Sequence, residues 1–197
     1  MVARLTQADR RARSRASLLE AAARAISHNG YGQLNLADVA AEAGYTRGAL
    51  YHQFKDKDAL VLATIAHVRD TWFAEVGTVF DDNLQPADAI VELARRHALY
   101  CRRDVAGVMA ALRVEFGARD HPIGDALRAL MRELIGRVRA LILAGRRTGT
   151  IPPGPSAASL AAATLAAIEG AVIALSGRTE DDVEIAQRLA RGLLRGA

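Results

Sequence analysis

Between Leu34 and Leu60 the chain reads LNLADVAAEAGYTRGALYHQFKDKDAL, and few folds accommodate that order of residues. Asn35 can cap a helix, because its side chain accepts from an amide that has no partner in the first turn. Val39, Ala40 and Ala43 give the helix a short apolar face. Gly44 stands where the helix must stop, free to take the left-handed conformation that closes a C-terminus. Thr46 can cap a second helix, in which Leu50 and Phe54, four apart, form the inward stripe. Two short helices joined by a glycine turn predict a helix-turn-helix, whose second helix can enter a DNA major groove. The same spacing also suits a plain helical hairpin.

The outward residues of the second helix separate these readings. Thr46, Arg47 and Gly48 stand at its N-terminal end, the end that reaches base edges in this motif. Arg47 can pair with a guanine edge, and Thr46 can offer a methyl or a hydroxyl. Gly48 has no side chain, so a backbone can come close there. Tyr51, His52, Gln53, Lys55 and Lys57 follow, and each can donate to a phosphate oxygen. Lys55 and Lys57 are the chain's two lysines.

The segment from Ala40, AAEAGYTRGALYHQFKDKDAL, resembles the DNA-binding signature of the TetR family of bacterial transcriptional regulators. Ala40, Ala43, Gly44, Leu50, Tyr51, Phe54, Lys57 and Leu60 match that signature. Tyr45, Thr46 and Gln53 depart from its commoner residues, positions that bear on which operator is read. The resemblance is carried by roughly the first 60 residues; beyond them only length and helical pattern agree. It implies residues 1–56 as a DNA-binding domain and 57–197 as a domain that binds a small, largely apolar effector and dimerises through its last two long helices.

Charge agrees with a nucleic-acid partner. Of the formal net charge of +4, three units fall in the first 60 residues. One cysteine excludes an internal disulfide and fits a reducing cytoplasm. The basic N-terminus lacks the apolar region of a signal peptide, and no apolar run is expected to reach membrane-spanning length. The expectation is a cytoplasmic protein without a membrane partner.

Read in order, Arg10, Arg11, Arg13 and Arg15 open a long helix with an apolar stripe of Leu18, Leu19, Ala22, Ala25 and Ile26, ended by Asn29-Gly30. The arginines suit phosphate contact or a solvated face. Leu18, Ala22, Ile26, Leu34, Val39, Leu50 and Phe54 are the predicted core of a three-helix unit. Asp56 caps a fourth helix running to about Phe80, a lever from Lys57 past Trp72. Further helices are predicted over about 87–103, 104–116, 122–146, 156–175 and 182–194, with TGTIPPGP (148–155) as a loop and Ser176-Gly177 as a stop. The fold class is all-α, with about nine helices.

Other constellations carry less. His97 and Cys101 share a helix face at a spacing that permits joint metal ligation, but no third ligand is evident, and a core pair is the plainer reading. Glu115 either orients a polar ligand or faces water. Glu169, inside the apolar run Leu165–Leu175, needs a partner, whether a ligand or a packing contact. Neither a nucleophile elbow, nor a phosphate loop, nor paired carboxylates are present, so a non-catalytic protein without a cofactor is expected.

The sequence therefore predicts a homodimeric regulator of double-stranded DNA, a repressor released from a palindromic operator by a small apolar effector. Candidate effector contacts are Trp72, His97, Tyr100, Met109, Leu112, Glu115, Phe116 and Met131. Candidate dimer contacts are Leu160, Thr164, Ala167, Ile168, Ala171, Val172 and Leu175, with Ile185, Leu189 and Leu193. A ligand-free DNA-binding dimer and a helical enzyme with an incidental helix-turn-helix stay open as alternatives.

Overall fold

The structure, a computed structural model, describes residues 6–175 and 180–196; the expected stop at Ser176-Gly177 lies outside them. The described residues form nine α-helices and no strand: α1 (Gln7–Asn29), α2 (Leu36–Glu42), α3 (Arg47–Tyr51), α4 (Lys57–Glu75), α5 (Pro86–Tyr100), α6 (Val108–Phe116), α7 (Pro122–Thr148), α8 (Ala157–Leu175) and α9 (Asp182–Arg195). Side-chain caps start α4 and α8. Asp56 Oδ1 accepts from the Ala59 amide at 2.7 Å, and Ser156 Oγ accepts from Ser159 at 3.1 Å. Two boundaries differ from expectation by four residues or more. α4 gives way after Glu75 to a 3-10 turn, Gly77–Phe80, in which Gly77 lies too close to the Phe73 ring to carry a side chain. α6 begins at Val108 rather than Asp104, behind Gly107, which packs against Ser27.

Contacts group the chain into two compact units. The first is Met1–Arg69 with Asp104–Arg128, and the second is Asp70–Arg103 with Ala129–Ala197. The division after residue 56 expected from the sequence is therefore not where the contacts divide. The physical reason is a shared core. All seven predicted core residues are buried, and Leu60, Val61, Ile65 and Val68 of α4, Val108, Leu112 and Phe116 of α6, and Ile123 and Leu127 of α7 bury against the same cluster.

In the second unit α5 packs on α8 and α9, burying Ile90, Leu93, Ala94 and Ala98 and, from the C-terminal pair, Leu160, Ile168, Ala186, Ala190 and Leu194. Burial divides the expected dimer contacts. Leu160, Thr164, Ile168, Ala171 and Val172 are buried inside one chain, and Ala167 and Leu175 are half-buried. The outward face of α8 is instead Ser159, Ala162, Ala163, Ala166, Gly170 and Ile173. The expectation that no apolar run reaches spanning length is corrected, since α8 has 19 residues and is apolar enough to cross a membrane.

Asp182 is the buried acid of this unit. It is 1% exposed, accepts from Arg102 Nε and Nη2 at 3.1 and 2.7 Å, and takes the Val183 amide at 2.6 Å. The guanidinium holds its carboxyl below the usual carboxylate range. A carboxyl lowered on folding adds stability that is full above the unfolded value, about pH 4, and is lost as pH falls through the folded value. Asp182→Ala is expected to cost roughly 1–3 kcal/mol at pH 7. Urea melts should show that gap narrowing below about pH 4; a gap independent of pH would mean the ion pair contributes nothing.

Candidate nucleic-acid interface

The helix-turn-helix is fixed by local chemistry. Asn35 Oδ1 accepts from the Ala37 amide at 2.9 Å to start α2. Gly44, at φ +78°, closes it, with the Tyr45 amide on Ala40 O at 2.8 Å and the Gly44 amide on Ala41 O at 3.0 Å. That paired closure needs a left-handed residue, which glycine adopts without penalty. Thr46 Oγ1 then accepts from Ala49 at 3.2 Å to start α3. Arg24 of α1 reaches Glu42 at the end of α2, 2.6 Å away, and holds the pair against the long helix.

The candidate DNA residues divide by what already engages them. Thr46, Arg47, Gly48, Tyr51, His52 and Lys55 are exposed. Arg47 donates to Tyr51 Oη at 3.3 Å, and its guanidinium lies 5.4 Å from the Tyr51 ring centroid, so the two side chains stand together on the outer face of α3. A Cβ built on Gly48 would meet only Thr46 Oγ1, at 3.8 Å. Lys55 is 83% exposed, with Asp56 3.6 Å away.

The other three are engaged by a cap or by an earlier segment of the chain. The oxygen of Asn35 is spent on its cap. Gln53 Nε2 donates to Ser14 Oγ at 3.0 Å, tying the end of the recognition segment to α1. Lys57 Nζ sits 4.3 Å from the Tyr31 ring centroid and 3.4 Å from Gly32 O.

Tyr31 belongs to a network that sequence spacing did not reveal. Its hydroxyl donates to Asp58 Oδ1 at 2.6 Å, and burial, followed by Asp58, pushes the phenol up to about 12. The other oxygen of Asp58 lies 3.3 Å from His121 Nε2. His121 Nδ1 accepts from the Ile123 amide at 3.3 Å, which leaves the ring proton on Nε2, facing Asp58. Phe116 packs edge-on to Tyr31 at 4.9 Å. The base of α4 is thereby joined to the α6–α7 corner within the first unit.

The candidate effector residues are not gathered in one unit. Met109, Leu112, Glu115 and Phe116 belong to the first, where Leu112 and Phe116 are core and Met109 packs on it. Trp72, His97, Tyr100 and Met131 belong to the second. There Trp72 Nε1 donates to His97 Nδ1 at 3.1 Å, so Nε2 carries the proton toward Cys101 Sγ, 3.5 Å away. Burial, then the charges of Glu169 and Asp182, push the Cys101 thiol up to about 12, so it stays protonated at neutral pH.

Comparison with known proteins agrees with this geometry. Residues 18–64 match the family described as bacterial regulatory proteins, tetR family, and residues 88–193, over half of the chain, match the tetracyclin repressor-like C-terminal domain. The chain belongs to the TetR family. The transcriptional regulator TtgR of Pseudomonas putida is 43% identical over 58 residues, 29% of this chain and 28% of TtgR. The match thus spans under a third of that relative. SCO4454, a TetR-family regulator from Streptomyces coelicolor, superposes with a TM-score of 0.78 at 22% identity, covering 93% of this chain and 89% of its own. AibR, in complex with isovaleryl coenzyme A and operator DNA, superposes at 0.73 with 19% identity, over 92% and 98%. At those identities the two structures share the fold with this TetR-family regulator.

Proposed function

We propose that this protein is a cytoplasmic, non-catalytic repressor that binds a palindromic operator as a homodimer and leaves it when a small, largely apolar effector binds. The observation that carries the DNA half is the outer face of α3, where exposed Arg47 is braced on Tyr51 beside a glycine whose only near neighbour, for an added Cβ, is Thr46 Oγ1. A braced guanidinium loses little freedom on reaching a guanine, and a bare backbone admits a groove edge. Selection of bound duplexes from a random pool should enrich a two-fold symmetric site. A pool with no enriched sequence would overturn the reading. Arg47→Ala is expected to cost on the order of 1–3 kcal/mol in operator affinity and to relax one base position in each half-site. Unchanged base preference in the variant would remove Arg47 from the readout.

The effector half rests on the second unit. Trp72, half-buried and hydrogen-bonded to His97, lies near the far end of the helix that starts at Lys57. A molecule seated beside Trp72, His97, Tyr100 and Met131 would displace that helix, and the displacement would travel to Lys57. AibR, of the same fold, was crystallised with an acyl coenzyme A and its operator, which supports an effector with an apolar arm. Compounds that change the emission of Trp72, the only tryptophan, should weaken operator binding by some 5–150-fold, and operator should weaken them equally. Compounds that bind at Trp72 and leave operator affinity unchanged would retire release and leave a DNA-binding dimer.

A further inference from the structure

The first two turns of α1 have no packing reason to be ordered. Thr6 to Arg13 are exposed at every position. The chain nevertheless fixes the start of this helix with a full capping box, Thr6 Oγ1 accepting from the Asp9 amide at 3.1 Å and Asp9 Oδ2 from the Thr6 amide at 2.9 Å. A solvated basic segment would carry the same charge if frayed. A capped one presents its side chains at fixed positions.

Those positions are set by contacts one turn further on. Ser14 accepts from Gln53, and the Arg15 guanidinium lies 4.6 Å from the Phe54 ring centroid. Residues four apart share a helix face, so Arg10 stands above Ser14 and Arg11 above Arg15, each about 6 Å further out. Neither Arg10 nor Arg11 has a side-chain hydrogen bond or ion pair among the described residues. Two unpaired guanidinium groups thus extend the side of α1 that grips the end of the recognition segment, where His52 and Lys55 are exposed.

We propose that Arg10 and Arg11 form a second DNA contact, on phosphates of the duplex that flanks the half-site read by α3. The proposal rests on the DNA-binding reading above and adds a length requirement to it. The occupant is duplex DNA rather than an acidic protein, because the arginines continue the face that meets the groove.

The test compares full-length protein and its Arg10→Ala/Arg11→Ala variant on two duplexes, one trimmed to the selected half-sites and one extended by about one helical turn on each side. Wild type should bind the extended duplex about tenfold tighter, with a slope of log affinity against log salt steeper by about two per protomer. The double variant should lose both gains and match wild type on the trimmed duplex. Arg10→Lys/Arg11→Lys should keep most of the gain, while Arg132→Ala/Arg139→Ala, the same charge removed from the exposed surface of α7, should change neither. Both Ala variants lie on solvated helix and should keep the wild-type circular dichroism. Equal affinity and slope for wild type and Arg10→Ala/Arg11→Ala on the extended duplex would overturn the contact. An equal loss on the trimmed duplex would overturn its flanking position. Failure of wild type to bind any selected duplex would overturn the repressor reading with it.

Discussion

Aspartates at both Ala166 and Ile173 are expected to leave the fold intact and yield a monomer that has lost its operator. Both residues lie on the outer face of α8, seven apart and therefore on one stripe with Ser159, Ala163 and Gly170. Ile173 is 57% exposed, and nothing lies within 4 Å of a Cβ built on Gly170. The neighbouring helix repeats the pattern. Ile185, Leu189, Gly192 and Gly196 of the α9 segment recur at the same four-then-three spacing, with Leu189 41% exposed. Only a third of the most apolar window of α8 is buried in the chain. Exposed apolar stripes on two adjacent helices mark a surface that a partner covers, and their small residues allow helices to approach closely. In the proposed homodimer a second copy would present the same two stripes, and a two-fold four-helix contact would bury all of them.

Charge at the centre of that contact has no partner, and an unpaired buried charge is strongly unfavourable. In a single chain both positions face water, so the melting temperature of a monomer should stay close to that of the parent at low concentration. Operator affinity should fall by roughly 100-fold or more, because linked half-sites gain about 10²–10⁴ over one. Sedimentation of the double variant at micromolar concentration, beside a mobility-shift titration, decides the matter. A variant that still sediments as a dimer places the interface elsewhere. A monomer that keeps full operator affinity would detach dimerisation from DNA binding.

How far the sequence reached follows from the range of the interactions. The helix-turn-helix was legible because its determinants are local: two caps within three residues of their amides, one glycine at positive φ, one pair of apolar residues four apart. Its core was legible for the same reason, and all seven residues named are buried. Which stripe of α8 the chain itself buries was not legible, because the helix is apolar on both its inner and its outer faces. When alanine fills both faces, helical period identifies stripes and cannot say which one α5 and α9 cover. Leu160, Thr164 and Ile168 were as good a seam on paper as Ala163, Ala166 and Gly170. The Tyr31–Asp58–His121 network joins residues 27 and 63 positions apart, a pairing that no local pattern encodes. The capping box at Thr6 and Asp9, by contrast, is a local signal, a threonine three residues before an acid, masked by the run of arginines behind it. The effector residues were grouped by composition alone, and composition does not report that Leu112 and Phe116 pack with α1 while Trp72 and His97 pair in the other unit.

Gly48 should separate folding from DNA binding more cleanly than any charged residue. It lies in α3 without a positive φ, so the backbone needs no glycine, and a Cβ there makes one ordinary contact with Thr46 Oγ1. An alanine or leucine restricts the unfolded chain and suits the helix, which should raise stability by roughly 0.5–1 kcal/mol. Against DNA the sign reverses. Thr46 and Arg47 precede it on the exposed N-terminal end of α3, and Tyr51 follows on the same outer face. If that end enters the major groove, the space in front of Gly48 is occupied by a base edge or a sugar. Alanine should then weaken operator binding by about tenfold, and leucine, too large to be accommodated by a small shift, by about 100-fold or more, some 1.4 kcal/mol for each factor of ten. Non-specific binding at low salt should change little, because it depends on phosphate charge. Thermal melts and operator titrations of Gly48→Ala and Gly48→Leu give both signs from the same two samples. Variants that are stabilised yet bind the operator as tightly as the parent would mean that α3 does not dock by its N-terminal end, and base readout by Thr46 and Arg47 would fall with that geometry.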